Sequence, residues 1–181
     1  MLPIKRTAMF LMMSSVLLPG QQTAPFKYPD APYVPTPVEV VEQMLRLAGV
    51  HKGDVVYDLG CGDGRIVIMA AEKFDATAVG VDINPELIRD ARAKAERAGL
   101  SGRVRFVEGD LFETDIRPAS VVTLYLLPGM TEKLKPKLLR DLKPGSRIVS
   151  FTFGIGDWKP GKAMDVNGRH IYLWIVPEKH P

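Results

Sequence analysis

The chain has few of the residues that build redox, metal or disulfide chemistry. Among its 181 residues one is a cysteine, Cys61, and three are histidines. A single cysteine excludes an intramolecular disulfide, a cysteine-bound iron–sulfur cluster and a Cys-x-x-Cys metal pair. The histidines, His51, His170 and His180, have no partner at metal-ligand spacing. We therefore expect no metal site and no radical chemistry.

A strong charge bias is missing as well. The net charge of +3 is too small to indicate a nucleic-acid partner unless the charge is concentrated in a patch. Two basic stretches, 89–105 and 133–140, alternate with acidic or apolar residues, which favours ordinary solvated helix faces. With 46% apolar residues, the chain is long enough to bury the core of one domain.

No apolar run is long enough to span a bilayer, which takes about 20 residues. The N-terminus nevertheless resembles a secretory signal, because Lys5 and Arg6 precede the apolar run 8–18 and Pro19 then breaks it. We assign residues 1–24 to a signal-like or anchor segment, 25–37 to a Pro-rich linker and 38–181 to the folded domain. This predicts an exported or membrane-associated protein with possible membrane contact through the N-terminus; a cytoplasmic protein whose N-terminal segment packs on the domain is the alternative.

The chain does contain a strand followed by a glycine-rich loop. An apolar run ends in Asp58, and glycines follow at alternate positions, Gly60, Gly62 and Gly64, before a helical pattern over 65–74. This spacing differs from the G-x-G-x-x-G fingerprint of dinucleotide-binding proteins. A carboxylate at Asp58 suits a cationic amino group better than a pyrophosphate.

A second apolar run ends in Asp82, twenty residues after Gly62. An acid at this position can accept hydrogen bonds from both hydroxyls of a ribose. The sequence therefore predicts a site for a cofactor that carries a ribose and an amino group.

Strand and helix patterns alternate through the domain, which predicts a doubly wound, Rossmann-like α/β fold. The asparagine and glycine at 167–168 lie between two strand patterns and predict a tight hairpin, so we expect a seven-stranded, mostly parallel sheet with a C-terminal antiparallel hairpin. The expected elements are a helix over 38–48 capped by Thr36, strands ending at Asp58 and Asp82, helices over 65–74 and 85–98, strands over 103–107, 121–127 and 147–153, a helix over 132–142, and hairpin strands over 163–166 and 169–176.

Three motifs together resemble the class I S-adenosylmethionine-dependent methyltransferases: the glycine loop at 58–64, the strand end at 79–82 and a third strand end at 107–111. The resemblance covers about residues 33 to 176 and implies S-adenosylmethionine as cofactor. It also implies that Gly60 and Gly62 line its methionine part, that Asp82 holds the ribose, and that Asp110 and Leu111 frame the adenine. The remaining candidate cofactor-binding residues are Thr36, Asp58, Cys61 and Ile83. We interpret Cys61 as a packing residue, because the loop needs a small side chain there.

A narrower resemblance rests on four segments, 32–36, 58–67, 124–128 and 157–160. Together they are similar to the protein-lysine N-methyltransferases of the ATP synthase c-subunit and adenine nucleotide translocase type. This resemblance implies methylation of lysine in a protein substrate, which includes membrane-associated proteins.

The fourth strand end bears on the methyl acceptor. Residues 124–128 lack the [Asp/Asn]-Pro-Pro-aromatic signature that holds planar amino groups, which disfavours methylation of a nucleobase amine. An apolar aromatic pocket lowers the pKa of a lysine ammonium by desolvation, so that water can take the proton. Our candidate catalytic pocket residues are Tyr125, Tyr33 and Trp158. Two alternatives stay open: a small-molecule methyltransferase acting on an amine, thiol or metalloid, and a non-catalytic module that binds S-adenosylmethionine.

Overall fold

The computed structural model describes residues 33–178, which form one sheet flanked by helices. The helices are α1 Val38–Leu47, α2 Arg65–Phe74, α3 Pro85–Arg97 and α4 Pro128–Asp141. The strands are β1 Val55–Leu59, β2 Thr77–Asp82, β3 Val104–Glu108, β4 Val121–Leu124, β5 Arg147–Phe151, β6 Lys162–Val166 and β7 Arg169–Ile175.

The strand order is β3-β2-β1-β4-β5-β7-β6, and the first five strands in this order are parallel. β1 lies between β2 and β4. The chain therefore adds β2 and β3 on one side of β1 and then crosses over to add β4 and β5 on the other side. In such a sheet ligands bind outside the carboxyl ends of the strands at this switch point. The predicted doubly wound fold is confirmed, and the topology places the site beyond Leu59 and Leu124.

The C-terminal hairpin is also as predicted. β7 runs antiparallel to both β5 and β6. Asn167 and Gly168 connect the hairpin strands with φ of 54° and 77°, the left-handed values that a two-residue type I′ turn requires.

Two apolar cores lie on opposite faces of the sheet, because side chains alternate along each strand. Helices α1, α2 and α3 pack on one face, where Val56 and Val121 are buried. Helix α4 packs on the other, against Tyr57 and Val122. None of the helices within residues 33–178 combines the length and apolar character needed to cross a bilayer.

Three predicted local features differ from the structure. β4 ends at Leu124 and α4 begins at Pro128, whereas the apolar pattern indicated a strand to 127 and a helix from 132. The proline fits the first helical position, where no backbone N–H is needed, and the preceding leucines leave the sheet. β5 likewise ends at Phe151 and not at 153.

The predicted capping role of Thr36 is wrong. The N-cap of α1 is Pro37, and no side chain caps the helix. Thr36 is instead buried at the start of the domain. The signal-like segment and most of the Pro-rich linker lie outside the described residues; within the described part of the linker, residues 33–37, Thr36 is buried and the Tyr33 ring lies against Gly62.

A polar cluster joins the end of α1 to the edge of the sheet at which β1, β4 and β5 begin. The Arg147 guanidinium donates to the carbonyls of Ala48 and Gly49, both at 3.0 Å, and to the carboxylate of Asp54. Ser120 Oγ donates to the same carboxylate at 2.7 Å. Burial opposes ionisation of Asp54, but the hydrogen bonds from Ser120 and Arg147 outweigh it and lower its pKa.

Replacing Arg147 by methionine is expected to destabilise the fold by about 2–4 kcal/mol, because it leaves a buried carboxylate without its cation. Thermal unfolding should register this as a fall in Tm, whereas Arg46→Met, which removes an exposed i,i+4 pair with Glu42, should change Tm little. Since the pKa of Asp54 is lowered on folding, its contribution is present above its ordinary pKa and is lost as the pH falls through the folded value. The difference between wild type and Arg147→Met should therefore shrink below about pH 4. An unchanged Tm at pH 7 would contradict this assignment.

Candidate active site

The glycine loop connects β1 to α2 and forms the floor of a cleft at the carboxyl end of the sheet. The N–H groups of Gly60 and Cys61 both donate to the carbonyl of Val81, at 2.8 and 2.9 Å. Gly62 has φ of 53°, and a side chain there would collide with the ring of Tyr33. Gly64 caps α2 with φ of 79°, so this helix begins without a side-chain cap. The alternating glycines thus turn the chain sharply and let neighbouring side chains lie directly against the backbone of the loop.

Asp82 fixes this loop from the end of β2. One carboxylate oxygen accepts the N–H of Gly62 at 2.8 Å, and the other accepts the N–H of Asn84 at 2.9 Å. An ionised carboxylate has about four acceptor positions. Asp82 therefore retains acceptor capacity on both oxygens for a pair of hydroxyls in the cleft.

Asp58 is the most buried charged group of the cleft, with 2% of its surface exposed. Burial raises its pKa to about 7, partly offset by the hydrogen bond that Thr123 Oγ1 donates at 2.6 Å, and the nearby carboxylates of Asp82 and Asp63 raise it further. A cation bound beside Asp58 would relieve this cost by favouring the ionised form.

Cys61 is buried within the loop and acts as a packing residue. A Cβ on Gly80 would lie 2.7 Å from its Sγ. Burial and the carboxylates of Asp58 and Asp82 raise the pKa of the thiol, so it stays protonated. Nucleophilic use of this thiol is disfavoured, because the thiolate is the reactive form.

Residues 33–36 form one wall of the cleft, which we call the N-terminal wall. Arg65 Nη1 donates to the carbonyl of Thr36 at 2.8 Å, and the same guanidinium binds both oxygens of Asp63 at 2.9 Å. Lys94 of α3 donates to Asp63 at 2.7 Å. Burial opposes ionisation of Asp63, but the bonds from Arg65 and Lys94 outweigh it and hold its pKa far below the usual range. This ionic cluster ties the N-terminal wall to the start of α2 and to the last turn of α3.

Apolar side chains line the opposite end of the cleft, beyond β2 and β3. Ile83, Leu111 and Phe112 lie there with Asp110. Asp110 Oδ1 accepts the N–H of Phe112 at 2.9 Å, so the carboxylate shapes its own turn. Apolar side chains of this kind are suited to the faces of an adenine ring.

The segment after β4 lines the part of the cleft that we call the acceptor end. Tyr125, Leu126 and Met130 all face the cleft. The Tyr125 ring packs against Phe151, with centroids 4.8 Å apart. Burial, followed by the charge of Asp63, raises the pKa of Tyr33, whose ring covers Gly62.

The structure brings most of the predicted site residues together. Ten of them line the cleft: Tyr33, Thr36, Asp58, Gly60, Cys61, Asp82, Ile83, Asp110, Leu111 and Tyr125. Gly62 does not line it, because its N–H is bonded to Asp82 and Tyr33 covers it. Trp158 is not brought to the cleft either: it packs on Trp174, with centroids 6.3 Å apart, and its carbonyl accepts the indole N–H of Trp174.

Several lining residues were not predicted from the sequence. They are Val34, Pro35, Asp63, Arg65, Ile66, Asn84, Leu87, Gly109, Phe112, Leu126 and Met130. Asn84 had a readable signal, since an asparagine before a proline is typical of a helix N-cap, and its side chain does accept the N–H of Glu86. The Asp63–Arg65–Lys94 cluster had none, because Lys94 is 31 positions away from Asp63.

The donor set of the cleft fits S-adenosylmethionine. The cleft combines apolar side chains with a few carboxylates, as small-molecule sites commonly do. The buried carboxylate of Asp58 suits an ammonium group, the two carboxylate oxygens of Asp82 suit a diol, and the apolar side chains beside Leu111 suit a base. The fold and this site define a class I S-adenosylmethionine-dependent methyltransferase.

Comparisons with known proteins agree. The profile of the ANTKMT methyltransferase domain matches residues 58–162. A protein-lysine N-methyltransferase from Saccharolobus islandicus is 52% identical over 155 residues, covering 83% of this chain and 96% of that protein. The mouse adenine nucleotide translocase lysine N-methyltransferase is 35% identical, over 96% of this chain and 75% of its own length. The chain belongs to the ANTKMT methyltransferase family, and the predicted family is confirmed.

Two further relatives bear on the range of the family. The human lysine N-methyltransferase of the ATP synthase c-subunit is 36% identical over 71% of this chain, which spans only 54% of that protein. Among solved structures, an RNA methyltransferase from Salinibacter ruber in complex with S-adenosyl-L-homocysteine is 51% identical, with a TM-score of 0.80 over 82% of this chain and 97% of its own. The names of the relatives thus point to two classes of acceptor, lysine and RNA.

Proposed function

We propose that the protein transfers a methyl group from S-adenosylmethionine to the Nζ atom of lysine in a protein substrate. The observation that carries this proposal is the chemistry of the acceptor end, which is formed by Tyr125, Leu126 and Met130. Neither described histidine lines the cleft. A primary amine suits such a pocket because desolvation lowers the pKa of its ammonium form, and water can then accept the proton.

The other residues of the cleft bind the cofactor or align the acceptor, according to their position. Bound S-adenosylmethionine supplies an electrophilic methyl group on a sulfonium, and the neutral thioether leaves with the bonding electron pair as Nζ attacks. Asp58 binds the ammonium of the methionine part, and Asp82 binds the ribose. Tyr125 and Tyr33 align the acceptor and exclude water, since an in-line displacement needs the reacting atoms about 3–3.5 Å apart.

An RNA acceptor is less well supported by the surface. Three of the four basic side chains of α4 are engaged within the fold, since Lys137 and Arg140 both bind Asp141 at 2.8 Å and Lys135 pairs with Asp157. Phosphate binding requires cations that are available to release counterions. The segment after β4 also lacks the amide-type signature for a nucleobase amine.

A membrane-associated acceptor is the finer form of this proposal. Its support is the signal-like or anchor character of residues 1–24, together with relatives named for a translocase and for an ATP synthase subunit. An anchored enzyme would meet such acceptors at a membrane surface.

Tyr125→Ala tests the proposed function. Truncating the ring at the acceptor end is expected to lower methyl transfer by about 100-fold, because alignment and water exclusion are lost, while the affinity for S-adenosylhomocysteine stays within about threefold. Transfer is measured with S-adenosylmethionine labelled in the methyl group, on separate membrane-protein, soluble-protein, RNA and small-molecule fractions of the host.

Label in methyl-lysine after protein hydrolysis supports the proposal. Label confined to RNA or to small molecules would move the assignment to those acceptors. Cofactor binding without label in any fraction would identify a binding module.

A further inference from the structure

The chain has an unfavourable conformation directly after β5. Thr152 has φ of 71°, a left-handed value that is rare for a β-branched residue. Its hydroxyl oxygen is buried and has no hydrogen-bond partner among residues 33–178. Both features oppose folding, and strained residues of this kind cluster at functional sites.

Hydrogen bonds around Thr152 hold the chain in this kink. The N–H of Thr152 donates to the carbonyl of His170 at 2.8 Å, and the N–H of Phe153 donates to that of Phe151 at 2.8 Å. Ser150 Oγ donates to the carbonyl of Phe153 at 2.7 Å. These three hydrogen bonds therefore stabilise the unfavourable conformation of Thr152.

The kink brings the ring of Phe153 to Tyr125. β4 and β5 are parallel neighbours with Leu124 opposite Ser150, so the residues that follow both strands meet at one edge of the sheet. The rings of Phe153 and Tyr125 are nearly parallel, at 16°, with centroids 6.5 Å apart. Phe153 is half-buried and keeps part of its ring accessible.

The third ring of this cluster has a different environment. Phe151 is fully buried behind Tyr125, and the Arg169 guanidinium lies 5.8 Å from its centroid. The ring of Phe151 is thus covered by protein groups, including this cation. Tyr125 and Phe153 are left to contact an acceptor.

From this geometry we infer that Phe153 is a specificity-determining residue of the acceptor site, which forms with Tyr125 two aromatic faces for the lysine side chain, and that Thr152 positions it. The inference rests on the proposed function and extends it to residues outside the lining of the cleft. The lysine side chain arrives as an ammonium group and Nζ carries a positive charge again after methyl transfer, and aromatic faces attract such a cation. Methylated ammonium groups are bound by aromatic faces as well, so the pair favours successive transfers to one lysine.

Phe153→Ala is expected to raise the KM for the protein acceptor about tenfold through the lost contact with the cation. The KM for S-adenosylmethionine and the affinity for S-adenosylhomocysteine should stay unchanged. The second readout is the ratio of trimethyl- to monomethyl-lysine in hydrolysed host protein, which should fall, and Phe153→Leu should show the same shift if Phe153→Ala folds poorly. Phe74→Ala is the matched control, because Phe74 is a half-buried ring with a cation, Arg46, 5.9 Å away, at the far end of α2.

Thr152 is tested by a pair of substitutions. Thr152→Asn is expected to keep the wild-type KM and product ratio, because asparagine tolerates a positive φ. Thr152→Gly relieves the strain but loosens the segment, so the KM for the acceptor should rise several-fold without loss of cofactor binding.

The outcomes distinguish a failure of the inference from a failure of the proposed function. If the wild-type enzyme methylates lysine and the Phe153 variants keep its acceptor KM and product ratio, the inference fails and the proposed function stands. Wild-type Thr152→Gly kinetics would refute the role of Thr152. If the wild-type enzyme labels no lysine, both the proposed function and the inference are overturned.

Discussion

Asp58→Asn is expected to remove cofactor binding and at the same time to stabilise the ligand-free protein. Asparagine has nearly the same shape and can accept the hydrogen bond that Thr123 donates at 2.6 Å. It cannot supply the negative charge for the ammonium group of the methionine part. Loss of one member of a buried ion pair should weaken S-adenosylhomocysteine binding by more than about 100-fold, as measured by calorimetric titration.

The gain in stability follows from the pKa of Asp58, which burial raises to about 7 from 3.8. Between these values the unfolded chain is ionised while the folded protein holds a proton, so the stability of the wild type falls as the pH rises. Above pH 7 the whole cost is present, and a shift of about 3 units corresponds to about 4 kcal/mol. At pH 8 the variant should therefore melt at least about 5 °C above the wild type, whereas near pH 4 the two Tm values should converge.

Binding to the wild-type enzyme carries the same signature. The ligand ammonium favours ionised Asp58, so affinity should rise as the pH increases through 7, and binding at pH 6 should release a proton. Asp58→Asn should abolish this pH dependence. Retained affinity in Asp58→Asn, or a lower Tm at pH 8, would count against the assignment.

Asp82→Ala is expected to remove cofactor binding by a different route, with a loss of stability. The carboxylate of Asp82 holds the N–H groups of Gly62 and Asn84, at 2.8 and 2.9 Å, and in the proposed complex also both ribose hydroxyls. Hydrogen bonds to a charged group contribute about 1.5–3 kcal/mol each, so affinity for S-adenosylhomocysteine should fall by more than about 100-fold. Two backbone donors also lose their acceptor, and Tm should drop by several degrees.

Asp115→Asn is the control for this variant, because Asp115 is exposed and pairs with the neighbouring Arg117. It should bind and transfer like the wild type. Normal methyl transfer by Asp82→Ala would contradict both the ribose role and the loop-fixing role of Asp82. The opposite signs of the two Tm changes distinguish Asp58, a buried charge that costs stability, from Asp82, a carboxylate that holds the backbone.

The sequence predicted those parts of the site that depend on strand ends and glycine spacing. Asp58 and Asp82 come directly from the end of an apolar run, and parallel strands bring such ends to one edge. The hairpin at Asn167 was predictable for a local reason too, since only certain residues adopt a positive φ.

The rest of the site depends on contacts between distant segments. Thr36 is of a residue type that often caps a helix, but packing at the N-terminal wall buries it. Trp158 resembled a pocket aromatic, yet its partner is Trp174 on β7. Phe153 looked like the last residue of a strand, because the kink at Thr152 is unfavourable for a threonine and no local pattern predicts it.

The N-terminal wall also bears on how the cofactor enters and leaves the cleft. Tyr33 lies over the glycine loop with 45% of its surface exposed, and the hydrogen bond from Arg65 to Thr36 ties this short segment down outside any helix or strand. Segments with few buried contacts open locally at a small fraction of the global unfolding free energy. We therefore expect the wall to open while the seven strands stay paired, and the cofactor to exchange faster than the sheet unfolds.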